Sequence, residues 1–363
     1  MFDLERAPTS SFVSMRYTLL GKTGLRVSEL SLGTMTFGDN LSWGVSKDIS
    51  SRILERYADA GGNFIDTANK YADGQSEEYL GELLRGRRDE FVLATKFASS
   101  MADGDLNAAG NHRKNIVGAI DASLRRLQTD HIDLLWVHAR DVFTPVPEVM
   151  RALDDQVRAG KVHYVGASDW PAWEIAQANT LAELRGWSPF VATQVHYNLL
   201  ERTPEREFFG MAESFDLGIT AWSPLGGGKL TGKYLRGESG RFDGQQQHSR
   251  ADIDEDAVVR AVVRIAEAGG WTPAQVALAW HYTRPGAVIP IVGATKESQL
   301  RDNLGALAIT LDADAVAELD KLSEIALGFP HDFLREPGVR NVVYGPRWRE
   351  IDDRRHTVRR TLD

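Results

Sequence analysis

Eight short apolar runs, each followed by a longer stretch of helical period, limit this chain to very few architectures. The runs are 29–34 (ELSLGT), 63–67 (NFIDT), 91–96 (FVLATK), 132–138 (IDLLWVH), 162–168 (VHYVGAS), 191–195 (VATQV), 218–223 (GITAWS) and 287–292 (AVIPIV). Between them lie segments such as ISSRILERYADAG (49–61), with Ile53, Leu54 and Tyr57 on one side, NIVGAIDASLRRL (115–127) and AVVRAVVRIAEAGG (257–270). Gly61, Gly62, Gly160, Gly269 and Gly270 fall where helices should stop, since glycine accepts the left-handed C-cap. This alternation is the signature of βα units and a parallel sheet. Eight units fit one (β/α)8 TIM barrel of the α/β class. A doubly wound sheet is the alternative; its dinucleotide-binding version is weakened because no GxGxxG follows the first strand.

Ahead of the first run, RYTLLGKTGLRVSEL (16–30) reads as two short strands around a Gly-rich turn, an N-terminal β-hairpin cap for the bottom of the barrel. No linker or low-complexity segment divides the chain. Residues 15–363 are therefore expected to form a single domain and residues 1–14 a disordered extension, with Met15 as an alternative start. Two long stretches, 226–256 and the tail from 324, should overhang the C-terminal face, where barrels carry their specificity loops.

The chain carries a net charge of −9 and no cysteine. The acidic balance argues against a nucleic-acid partner, although a local basic cluster can still hold an anionic cofactor. Without cysteine there is no disulfide, thiolate metal site or cysteine nucleophile. The opening MFDLERAPTSSFVS lacks the basic start and apolar core of a signal peptide. No apolar run approaches ~18 residues, so no membrane span is expected. A cytoplasmic location fits these features, and oligomeric state stays open.

Asp66, Lys96 and His138 each end a separate run, and Tyr71 follows Asp66 by five residues. In a parallel barrel the strand ends converge on the face that carries the chemistry. A phenol has an ordinary pKa of about 10, and a neighbouring ammonium lowers it by stabilising the phenolate. Lys96 is placed to do so, Asp66 to hold the ammonium, and His138 to orient a carbonyl oxygen. The set suits protonation of an oxygen that gains negative charge, as when hydride adds to a carbonyl. Taken singly, each residue has a structural reading: Tyr71 as packing, Lys96 as a solvated charge, His138 as a satisfied polar group, Asp66 as a helix cap. Their coincidence on one face favours chemistry.

Later strands add Ser168, Asp169, Gln194 and Trp222, which together suit a flat amide-bearing ring; the structural reading makes Trp222 core and Gln194 a filler of the barrel mouth. Trp43, Trp170, Trp173, Tyr197, Phe329 and Phe333 supply an apolar lining of the kind small-molecule sites use, although helix packing suits Trp173 better. GGKLTGK (227–233) nearly matches a phosphate-binding loop, but Tyr234 stands where Ser or Thr must hold Mg²⁺. A nucleotide hydrolase is therefore rejected. His112, His131, His138, His163 and His196 lack paired spacing such as H-x3-H, so no metal is expected.

The ordered motifs LGKTGLRVSELSLGTMTFG, NFIDTANKYADGQSEEYLG, FVLATKF, DLLWVHARD, VHYVGASDW, TQVHYNLLER, TAWSPLGGGKLTGKY and IPIVGATKESQLRDNLGAL carry a resemblance. From about Met15 to Tyr344 the chain resembles the aldo-keto reductases. The resemblance implies an NADPH-dependent reductase of aldehydes and ketones, with small-molecule carbonyl substrates. The family tetrad falls on Asp66, Tyr71, Lys96 and His138, with Tyr71 as general acid. The nicotinamide site falls on Ser168, Asp169, Gln194 and Trp222, with Thr34 and Met35 beneath the ring. Many relatives carry Asn at position 169; Asp can accept from a carboxamide but not donate to it. The pyrophosphate loop falls on Ser223, Pro224, Leu225, Gly226, Gly227 and Lys233. The adenosine phosphate and adenine positions fall on Gly293, Thr295, Lys296, Gln299, Asp302 and Asn303, with Lys296 and Arg250 as contacts for the 2′-phosphate. Gln299 replaces an arginine common in the family, so NADH is a possible second cofactor. Competing readings are a dedicated nucleotide-sugar or ketone reductase, a cofactor-binding regulatory subunit like the potassium-channel β subunits, and an unrelated barrel lyase or isomerase.

Overall fold

Eight parallel strands close into a barrel in the computed structural model, which describes residues 15–238 and 250–352. The extension expected over residues 1–14 lies outside the described residues. An antiparallel hairpin, β1 (Tyr17–Leu19) and β2 (Arg26–Ser28), precedes the barrel. The barrel strands are β3 (Ser31–Gly33), β4 (Phe64–Asp66), β5 (Val92–Phe97), β6 (Ile132–Val137), β7 (Val162–Ser168), β8 (Phe190–His196), β9 (Gly218–Trp222) and β10 (Val288–Val292). Each pairs with its sequence neighbour, and β10 closes the ring on β3. The eight apolar runs are these strands. Helices follow them, beginning with Lys47–Asp59, and those at Arg113–Leu127 and Glu255–Gly269 coincide with two of the expected segments to within two residues.

Strand alternation sorts the side chains into two cores. Leu93, Leu135 and Val165 point outward and pack with the helices. Phe64, Val92, Ala94, Leu134, Trp136, Ala192 and Ile289 point inward and form the barrel's own apolar cluster. Leu20 and Val27 of the hairpin join that cluster from below, so the hairpin plugs the barrel. The turn docks by Lys22 N donating to Asp216 O at 2.8 Å. Gly21 has φ +55, and a Cβ there would lie 2.4 Å from Val191 O, so only glycine fits this approach.

The barrel's middle is filled unequally. Trp136 is fully buried, and the neighbouring inward position on β7 is Gly166. A Cβ on Gly166 would stand 2.5 Å from the indole and 3.0 Å from Ala192 O. One large ring thus occupies the volume of two side chains. Above this layer the inward positions turn polar: Asp66, Lys96, His138, Ser168, Gln194 and Trp222.

The tail from 324 is tied to the loop after β8, on the C-terminal side. Arg206 donates to Ala326 O at 3.0 Å, and His331 Nε2 lies 3.0 Å from Glu207. Among the described residues, no helix is long and apolar enough to cross a membrane.

Gly166→Val should lower unfolding stability by about 1–3 kcal/mol, the usual cost of overpacking a filled core. Urea unfolding followed by Trp fluorescence measures it; an unchanged midpoint would mean that Trp136 can move aside.

Candidate active site

Lys96 sits at the centre of the polar layer, with its side chain fully buried. An ammonium has three protons to donate, and three acceptors surround this one: Asp66 Oδ1, Thr67 O at 2.9 Å and Tyr71 Oη at 3.1 Å. Tyr71 therefore accepts from Lys96, and its own O–H points elsewhere. The second Asp66 oxygen accepts from Gln194 Nε2 at 3.0 Å, which fixes the carboxylate plane. Thr34 N and Oγ1 both bond Asp66 O, at 2.9 and 3.1 Å, anchoring the end of β4.

Local backbone explains how Tyr71 arrives. After β4 the chain keeps pairing with β5, through Thr67 N to Ala94 O and Asn69 N to Lys96 O. Ala72 (φ 48) and Asp73 (φ 51) then turn left-handed, reversing the chain just past Tyr71. Ala98 (φ 115), Asp169 (φ 50) and Ser223 (φ 54) do the same one or two residues beyond Lys96, Ser168 and Trp222. Left-handed conformation in non-glycine residues is costly and clusters at functional sites.

Burial sets the protonation states. It pushes the Tyr71 phenol above its ordinary value, and Lys96 offsets only part of the rise. The sequence-based expectation of a net acidified phenol is thus reversed: the phenol keeps its proton. Burial also works against the Lys96 charge, but Asp66 and then Tyr71 outweigh it and hold the ammonium's pKa above normal. His138 is lowered to about 3 by burial and by the Lys96 charge, so it is neutral. Its ring meets Tyr71 edge-on at 6.1 Å. Its Nδ1 is buried without a hydrogen-bond partner among the described residues.

The expected nicotinamide positions converge beside this centre. Ser168 and Gln194 are register neighbours on β7 and β8. Trp222 Nε1 donates to Asp169 Oδ1 at 3.2 Å, and burial raises the Asp169 pKa. One face of Trp222 stacks on His196 at 4.0 Å, which leaves the opposite face for a flat ring. Residues His196 and Asn198 support this wall and were not among the expected site residues; Asn198 Nδ2 donates to Ser223 O at 2.9 Å. His196 shares the inward parity of Gln194, a signal readable once β8 is aligned. Gln194 keeps its carbonyl oxygen, Asp169 a carboxylate oxygen and Ser168 its hydroxyl for a carboxamide. These groups fit an amide-bearing ring.

Past β9, Ser223 Oγ accepts from Gly227 N at 3.1 Å within a turn that includes Pro224, Leu225 and Gly226. Lys229 is committed to Glu255 at 2.7 Å, whereas Lys233 folds over Gly228, its Nζ 2.9 Å from where a Cβ would stand. At the helix Glu297–Leu304, Gln299 Oε1 accepts from Thr295 N and Oγ1 and from Lys296 N. Gln299 therefore acts as an internal cap where an arginine would project. Asp302 supports the helix Pro273–His281 through Thr272 and Gln275, and Asn303 is buried. Gly293 follows β10 beside Gly33. Arg250 does not fit the 2′-phosphate reading. Its guanidinium bonds Asp252 and the carbonyls of Ser323 and Glu324, clipping a loop to the end of the helix Ala313–Leu322.

The aromatic set divides. Phe329 and Phe333 are exposed and pair at 5.9 Å on the tail, Trp43 is half-buried and Met35 exposed. Trp170 and Tyr197 do not reach the mouth. Trp170 is buried edge-on against Phe190 beneath Arg140. Tyr197 is buried between Phe209 and Trp280, with its hydroxyl on Glu205. Both lie outside the barrel wall, where packing claims large rings. Trp173 is exposed.

The polar cluster of Asp66, Tyr71, Lys96 and His138 lies on the C-terminal rim of a parallel barrel, the rim on which such barrels carry their chemistry. The chain belongs to the aldo/keto reductase family, whose model matches residues 29–324. It is 38% identical to the aldo-keto reductase ausK of Aspergillus calidoustus, over 88% of this chain and 85% of that protein. It is 36% identical to norsolorinic acid reductase of Aspergillus flavus (88% and 83%) and 38% identical to an uncharacterized oxidoreductase of Bacillus subtilis (85% and 96%).

Because His138 is neutral above about 3, it should add no inflection to the pH profile of kcat between about pH 5 and pH 9. A limb near neutrality that disappears in His138→Gln would show that the imidazole titrates after all.

Proposed function

We propose that the protein reduces aldehydes and ketones with NADPH, tolerating NADH, and that Tyr71 is the general acid. The observation that carries this reading is the distribution of the Lys96 protons. All three are taken by Asp66, Thr67 and Tyr71, so Tyr71 receives a hydrogen bond and its own proton is directed away from Lys96. A bound nicotinamide supplies hydride to the carbonyl carbon. Tyr71 protonates the carbonyl oxygen as negative charge develops there. Lys96 stabilises the phenolate that results, an electrostatic term made strong by burial. Neutral His138 donates from Nε2 and orients the same oxygen. Ser168, Asp169 and Gln194 hold the carboxamide, and Trp222 backs the ring. Lys233 contacts the pyrophosphate, and Lys296 remains the cation for the 2′-phosphate once Arg250 is committed elsewhere. Trp43, Phe329 and Phe333 offer the substrate an apolar wall. The reductase named for norsolorinic acid among the relatives supports the reductive direction.

Tyr71→Phe should lower kcat for carbonyl reduction by about 10²–10⁴-fold, the usual worth of a positioned acid, while nucleotide binding, read by Trp quenching, stays unchanged. Near-normal turnover would remove Tyr71 from the acid role. Lys296→Ala should raise the KM for NADPH several-fold and leave that for NADH alone; equal effects would place Lys296 away from the 2′-phosphate.

A further inference from the structure

A second cluster of ligand-type side chains lies at the opposite, N-terminal rim of the barrel. His131 and Asp133 flank the first residue of β6, and His163 is the second residue of β7. The register places Ile132 beside Val162, so Asp133 and His163 are direct cross-strand neighbours. Strand alternation points both to the outer face. The linear spacing of the two histidines conceals this meeting, because it depends on pairing between strands.

The ligand atoms of His131, Asp133 and His163 all lie within 4.8 Å of one another. Asp133 Oδ1 is 3.9 Å from His131 Nε2 and 3.6 Å from His163 Nδ1. Those separations exceed a hydrogen bond, so three lone-pair donors lie together without satisfying one another. The surroundings hold two of them in place. Asp130 Oδ1 lies 2.7 Å from His131 Nδ1 and turns Nε2 towards the cluster. Arg88 Nη2 at 2.6 Å and Leu93 N at 2.9 Å occupy the other Asp133 oxygen, leaving Oδ1 to the imidazoles. A carboxylate on the far nitrogen of a ligating histidine is the usual outer support of a metal site.

We propose that His131 Nε2, Asp133 Oδ1 and His163 Nδ1 form a site for a divalent transition metal, of the zinc, cobalt or nickel type that imidazole and carboxylate favour. Ligands at about 2.0–2.2 Å from one ion stand roughly 3.3–3.6 Å apart in a tetrahedron, so the Asp133–His163 pair is already close to fitting, and His131 must approach by about half an ångström or more. The two imidazoles stack at 4.6 Å with planes 22° apart. A shared ion therefore needs one ring to rotate, and His163, with its side chain 48% exposed, has the room. Three protein ligands leave at least one position for water. The ion would join β6 to β7 on the face away from the tetrad, so it would act on stability and not on hydride transfer.

The test uses the full chain without a histidine tag, stripped with chelator and titrated with Co²⁺ and Zn²⁺. The expected result is one equivalent bound, a visible Co²⁺ d–d band, and a thermal midpoint that rises with Zn²⁺. His163→Gln and His131→Gln should each weaken binding at least tenfold and abolish the band, with carbonyl reduction intact. Asp130→Asn should weaken binding less. Asp133 is left alone because its backbone bond to Leu93 also supports the strand pair. No saturable binding, or binding unchanged in both histidine variants, would overturn the site and leave the rings as a stacked pair.

Discussion

Everything at the polar rim of the barrel depends on one buried ion pair, Lys96 with Asp66. An isolated ammonium in a barrel core would be strongly disfavoured, because burial penalises the charged form. Asp66 makes it tolerable, and Gln194 makes Asp66 rigid. Removing one member of such a pair costs about 3–5 kcal/mol, since it strands the other charge. The pair therefore restricts where β4, β5 and β8 can end relative to one another. Tyr71 is positioned as a consequence, as the third acceptor of an ammonium that cannot turn.

The same arrangement controls protonation. Burial alone would leave a neutral lysine and an inert phenol. The carboxylate keeps the lysine charged, and the lysine offsets part of the rise that burial imposes on the phenol. The neutrality of His138 has the same origin: a second cation beside Lys96 in a dry pocket is excluded. One charge, held by three hydrogen bonds, fixes Tyr71 as an acceptor and disfavours a second charge on His138.

Below this layer the barrel is apolar and closed. Leu20 plugs the bottom and Trp136 fills the middle at the expense of a side chain on Gly166. The loops after β4, β5, β7 and β9 turn through left-handed residues, which reverse the chain sharply near Tyr71 and Asp169.

Much of this was legible in the linear chain. Short apolar runs alternating with helical stretches pointed to the barrel, and position at the run ends placed Asp66, Lys96 and His138 on one face, with Ser168, Gln194 and Trp222 added from the later runs. Helix spacing located the segments around it. What tertiary structure decided was which of several possible partners each polar group takes. Arg250 reads as a phosphate contact until its guanidinium is found on Asp252 and the carbonyls of Ser323 and Glu324. Trp170 and Tyr197 read as pocket lining until the helix layer claims them. The direction of the Tyr71 shift reversed for the same reason, because desolvation depends on everything packed around a group and a neighbouring charge is only one part of that. Periodicity is a local property that the chain carries in its order of residues. Partnership and burial are set by contacts between segments far apart in that order, and they exist only once the barrel has closed.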